Sequence, residues 1–94
     1  MMPFPNDDYV RYREALKNER LPAAFVDLDA FDANVDYVAS SQCSTGKSIR
    51  VGTKSIRCVE LTRRVFKRGG PAYRGILGFT MEEAAFLADR GFDD

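Results

Sequence analysis

The chain predicts a parallel α/β fold, in the order β-α-β-α-β-α after an opening helix. Three observations support this. Short apolar runs recur at 23–28, 48–53 and 73–79, each of strand length. The segments after them carry apolar residues at helical spacing, and Gly or Pro punctuates the joins. Strands that alternate with helices of about 10–15 residues build parallel sheets with crossover connections.

Residues 7–20 place Tyr9, Tyr12 and Leu16 among many charged positions, the pattern of a short amphipathic helix lying with one face on the protein body. Its expected stop is Leu21-Pro22, because a residue before proline avoids helical backbone angles. Residues 1–20 therefore read as a helical extension and 21–94 as the α/β body. Ala23 to Leu28 reads as a buried strand, with Asp29 as the cap of the next helix. That helix aligns Phe31, Val35 and Val38, and Ser40 to Lys47 reads as a polar loop.

Ser48 to Thr53 forms the second expected strand and leads into Lys54. Cys58, Leu61, Val65 and Phe66 follow at offsets of a single helix face, and Lys67 and Arg68 suit the negative end of that helix before Gly69-Gly70-Pro71 stops it. Tyr73 to Phe79 is the third strand. Thr80 and Glu83 fit a capping box, in which each side chain serves the other's backbone N–H. The last helix runs to about Arg90, with Gly91 as its end.

Three parallel strands cannot close on themselves, and a parallel sheet is normally covered on both faces. The expectation is therefore the first three units of a TIM-type (β/α)8 barrel, an incomplete N-terminal part, rather than a finished small domain. In such barrels the site gathers at the C-terminal ends of the strands. Asp27 to Asp29, Thr53-Lys54 and Phe79-Thr80 fall there. Lys54 is the informative one: it ends a strand, and alternation puts Gly52 and Arg50 on its face. A desolvated lysine loses its proton more readily and becomes an amine able to attack a carbonyl. A lysine that merely reaches solvent from a strand end is the plainer alternative.

Composition narrows the chemistry. The 94 residues carry 14 basic and 14 acidic side chains and no histidine. Zero net charge gives no electrostatic reason for a nucleic acid or membrane partner. The opening Met1 to Asp8 has no basic residue and does not read as a signal peptide. Two cysteines, Cys43 and Cys58, read as free thiols of a reducing, cytoplasmic compartment. Without histidine, Ser-His-Asp and Cys-His catalysis and His-ligated metals are excluded within these residues. Thr45-Gly46-Lys47-Ser48 imitates the end of a P-loop, but Ser41 stands where its first glycine belongs, and the segment follows a helix and enters a strand. Cys58 reads as a packed thiol, and Glu82 and Glu83 as acids at a helix N-terminus.

The stretch Leu21-Pro-Ala-Ala-Phe-Val-Asp-Leu-Asp-Ala-Phe-Asp-Ala-Asn-Val35 resembles the opening strand and helix of the alanine racemase N-terminal domain, the fold-type III barrel of pyridoxal phosphate enzymes. Ile49-Arg-Val-Gly-Thr-Lys-Ser-Ile-Arg-Cys-Val-Glu-Leu61 is similar to its second strand, where an R-x-x-x-K pattern carries the cofactor lysine. Gly75 to Ala84 resembles its third strand and helix. Within that superfamily the chain looks most like the D-threonine aldolase-like branch, the amino acid deaminase/aldolases.

The resemblance implies a pyridoxal 5'-phosphate lyase acting on D-amino acids, by retro-aldol cleavage or deamination. Lys54 would be the catalytic Schiff-base lysine, and Arg50 would accompany it in cofactor binding. Asp27 and Asn34 match positions read as structural. The departures are Ser55, Ile56 and Arg57, which stand where many D-threonine aldolases continue K-T-H-K, and the absence of the Tyr-Gly-His-Gly run of alanine racemases. Racemisation is thus the less favoured activity. Phosphate-holding loops, and any divalent metal site of the aldolase branch, would lie outside these residues, so the 94-residue piece alone is expected to be inactive. The intact protein would be a candidate homodimer. Two other readings stand beside this one: a cofactor-binding barrel without catalysis, and a small α/β interaction domain without small-molecule chemistry.

Overall fold

The computed structural model describes residues 6–94. Residues 1–5, part of the segment read as no signal peptide, lie outside the described residues. Four helices and one two-stranded parallel sheet are found among the described residues, an α/β arrangement as expected but with one strand fewer. No helix among the described residues is long and apolar enough to cross a membrane.

Helix α1 spans Asn6–Leu16, four residues short of the expected end, because Glu19 N–H bonds the Leu16 carbonyl at 3.0 Å in a tight turn. Of its two tyrosines only Tyr12 turns inward, its ring 5.1 Å from that of Phe25, while Tyr9 is exposed.

The expected first strand at 23–28 does not form. These residues join no ladder, and Phe25 and Val26 are about half exposed. A strand needs a neighbour for its backbone groups, and the sheet contains only the two strands that pair with each other. Helix α2, Leu28–Gln42, takes Leu28 from that run. Its cap is Asp27 rather than Asp29: the Asp27 carboxylate accepts from Ala30 N–H at 3.2 Å with extended backbone angles, and Asp29 sits in the first turn. The helix also runs past Ser40, because the Ser40 and Ser41 hydroxyls donate to the carbonyls of Tyr37 and Val38 instead of breaking the ladder.

Strand β1, Ile49–Gly52, ends in a single 3-10 turn at Thr53–Ser55. Helix α3, Val59–Gly69, crosses over to strand β2, Tyr73–Leu77. Helix α4, Met81–Ala88, follows, capped by the Thr80 hydroxyl, which accepts from Glu83 N–H at 3.1 Å. The helix ends at Ala88, two residues before the expected Arg90, and Gly91, with φ +98, closes the turn that follows it.

The pairing registers Ile49 with Tyr73 and Val51 with Ile76, so β2 carries one extra residue. Gly75, at φ +75, takes the left-handed angle that this bulge needs.

One face of the sheet is covered by helices. Val35 of α2, Val51 of β1 and Val65 of α3 form the buried centre, with Phe31, Ile56, Phe66 and Tyr73 packed around it. The stripes read from the sequence thus supply Phe31, Val35, Val65 and Phe66, while Val38 stays largely exposed. Each helix also carries a charged pair one turn apart. Arg64 and Arg68 of α3 reach across to Asp32 and Asp36 of α2.

Candidate functional site

The C-terminal ends of β1 and β2 lie side by side, since Gly52 pairs with Leu77. Along β1 Arg50 and Gly52 are exposed while Val51 is buried, so the first two occupy the sheet face away from the helices. Lys54 no longer follows this alternation, because it belongs to the 3-10 turn and not to the strand. It is exposed, and its Nζ lies 5.0 Å from the centre of the Phe79 ring.

The backbone of that turn is fixed from two sides. The N–H groups of Ile56 and Arg57 both donate to the Thr53 carbonyl, at 3.2 and 2.9 Å. Thr53 itself is only 2 % exposed, and its hydroxyl donates to a Glu83 carboxylate oxygen from α4. The same Glu83 oxygen accepts from Phe79 N–H at 3.5 Å. The expected capping box is therefore half formed. Thr80 caps as predicted, whereas Glu83 bonds one residue further back and ties the two strand ends together. Sequence reading missed this link, because nothing local to Thr53 announces a partner thirty residues away.

Arg50 and Lys54 do not meet over a common ligand surface. The Arg50 guanidinium crosses β2 at Gly75, where a Cβ would lie 2.3 Å from its Nη1, and ends on the Ile76 carbonyl at 3.1 Å and on Asp94 at 3.2 Å. What stands with Lys54 instead is Arg57, its guanidinium 5.6 Å from the same Phe79 ring centre. Gly52 leaves open space: a Cβ built there meets nothing within 4 Å.

Below this rim a cavity of about 520 Å³ opens between α3 and α4, lined by Thr53, Cys58, Phe79, Glu83 and Phe86 among others. Cys58 is half-buried and occupies the cap position of α3, where its thiol makes no capping bond, and not the interior of the helix stripe. Cys43 is an exposed free thiol. Thr45 to Ser48 form the connection from α2 to β1, the order that set the P-loop reading aside.

Asp27 is structural, as read from the sequence, but through a wider set of contacts. The Tyr12 hydroxyl donates to it at 2.6 Å and Arg11 at 2.9 Å. The Tyr12 bond above all, then the Ala30 N–H, hold its carboxyl down from the ordinary 3.8 to about 2. Asn34 is exposed.

No protein-family model, curated protein or solved structure matches the chain.

Proposed function

We propose that the chain forms opening βα units of a pyridoxal phosphate-dependent (β/α)8 barrel, with Lys54 as the amine that holds the cofactor and D-amino acids as the substrate class. One observation carries the reading. Lys54 sits in the single turn that follows the C-terminal end of a strand of a parallel sheet, the end at which such folds place their chemistry.

The residues present fit part of the cofactor. The ammonium of Lys54 makes no salt bridge among the described residues, and the nearby position without a side chain at Gly52 leaves room for a flat ring. Arg50 fits less well, because the Ile76 carbonyl and Asp94 already occupy its guanidinium. The sheet face bearing Arg50 and Gly52 is uncovered by helices, as the inner face of a partly built barrel would be.

Pyridoxal phosphate supplies an electron sink for carbanion chemistry at the Cα of an amino acid. Lys54 would contribute the attaching amine, and the fixed turn around Thr53 would keep that amine at the strand end. Retro-aldol cleavage or deamination of a β-hydroxy D-amino acid is the reaction class that follows from this reading.

The test is reductive labelling. The chain is incubated with pyridoxal phosphate, treated with borohydride and mapped by peptide mass. The reading expects label on Lys54 well above Lys17, Lys47 and Lys67, and none at position 54 in Lys54→Ala. Uniform labelling of the four lysines overturns it. The lyase step is assayed with D-threonine and D-serine in a protein carrying the remaining βα units, as release of glycine with an aldehyde or of ammonia.

A further inference from the structure

Two cations converge on one aromatic ring at the strand ends, and no acid answers either of them. Lys54 Nζ and the Arg57 guanidinium lie 5.0 and 5.6 Å from the centre of Phe79. The salt bridges among the described residues all join other groups. The nearby carboxylate, Glu83, is directed to the Thr53 hydroxyl and the Phe79 N–H.

The backbone adds a second observation. Arg57 has φ +47, the only non-glycine residue at positive φ among the described residues. The left-handed angle itself comes from the 3-10 turn, which ends with the Arg57 N–H on the Thr53 carbonyl. Glycine is the unstrained choice for such a position. An arginine there costs backbone energy and is not repaid by an ion pair. Its guanidinium instead stands at the rim of the cavity of about 520 Å³, within the size range of small-ligand sites.

We infer that Arg57, with Lys54 and the Phe79 ring beside it, binds the carboxylate of a small amino acid whose side chain enters the cavity below. A guanidinium matches a carboxylate through two parallel hydrogen bonds, and a second nearby cation favours the anion further. Thr53, Phe79 and Phe86 offer the side chain a mainly apolar wall. Once Lys54 engages the cofactor, Arg57 is the cation left to hold the substrate. The choice of an amino acid as ligand rests on the function proposed above; the unanswered cation pair does not.

The experiment is an amide chemical-shift titration with D-alanine, and in parallel with inorganic phosphate, at constant ionic strength. D-alanine is expected to shift residues 53–58 and 79–83 and to saturate. Arg57→Gly should weaken this about tenfold or more, as loss of a charge-assisted bond does, while leaving the melting temperature unchanged or higher because glycine relieves the positive φ. A lower melting temperature in Arg57→Gly assigns Arg57 to the fold and overturns the inference. So does unsaturable D-alanine binding, undiminished binding in the variant, or tighter binding of inorganic phosphate. Borohydride labelling of Lys54 is read on the same protein in separate samples that carry pyridoxal phosphate and no D-alanine. Labelling without saturable D-alanine binding sinks the carboxylate site alone; saturable binding without selective labelling sinks the cofactor reading alone.

Discussion

Arg64 grips Asp32 through two parallel hydrogen bonds of 2.7 Å each, across the interface between α2 and α3. Arg68 repeats the grip on Asp36 one turn along, at 2.9 and 2.8 Å, and also reaches Asp32 at 3.4 Å. Both helices thus carry their charges at i and i+4, so two forks engage at once and fix how far one helix can slide along the other.

The two acids are not equivalent. Asp32 has a side chain only 12 % exposed and serves both arginines, whereas that of Asp36 is 53 % exposed and serves one. Asp32→Asn is therefore expected to lower the melting temperature by several degrees and Asp36→Asn by clearly less. Thermal unfolding at low and high salt checks this, and equal losses would show that the register does not depend on Asp32.

Acid should unfold the chain through its bonded carboxylates. Asp27 is held down to about 2, with the Tyr12 hydroxyl as the largest cause, and Asp32 and Asp36 are lowered by Arg64 and Arg68. A depressed carboxyl contributes stability that is complete above its unfolded value near 3.8 and is lost as pH falls toward its folded value. Melting temperature should thus be level above about pH 5 and fall between about pH 4 and 2. Tyr12→Phe should bring the Asp27 carboxyl back toward its ordinary value, measured by carboxyl carbon shifts against pH; an unmoved titration argues against the Tyr12 bond as the main cause.

Gly69 lets a ring pass. A Cβ there would lie 2.1 Å from Cδ2 of Tyr73, and the ring cannot easily retreat because its hydroxyl donates to the Val35 carbonyl at 2.8 Å. Gly69→Ala is expected to cost about 2 kcal/mol, as overpacking beside a fixed group does. Denaturant unfolding measures it. Combined with Tyr73→Ala, the added methyl should cost little.

Thr53→Val keeps the shape and removes the hydroxyl that joins β1 to α4 through Glu83. The buried site leaves that loss uncompensated by water, so about 1–2 kcal/mol is expected. Hydrogen exchange should speed at the amides of Phe79 and Glu83, and unchanged protection there would detach Thr53 from the strand-end link.

Much of this architecture could be read before any coordinates. The helix stripe of Val65 and Phe66, the Thr80 cap and the Gly91 stop all depend on neighbours within about a turn, and local pattern reports such things well. Strand pairing does not work that way. Ala23 to Val26 has the composition of a strand, yet composition cannot supply a partner, and here the run stays unpaired. Asp27 took the cap expected of Asp29 because Tyr12 and Arg11, from another element, hold it in place. At the candidate site Lys54 was visible as a strand-end residue. Its companion was not: Arg50 turned to Asp94, and Arg57 became the neighbour only through a backbone angle that residue type disfavours.

The inserted residue at Gly75 has one more effect. In a regular strand, side chains an odd number of positions apart point to opposite sides. Tyr73 and Ile76 are three apart, yet Tyr73 joins the valine centre and Ile76 is buried as well. The bulge shifts the parity of everything after it, which sends Leu77 outward where an unbroken count would have turned it in. Deleting Arg74 would remove the extra residue and keep both where they are: Ile76 buried beside Val51 and Leu77 facing water, now in an unbroken alternation.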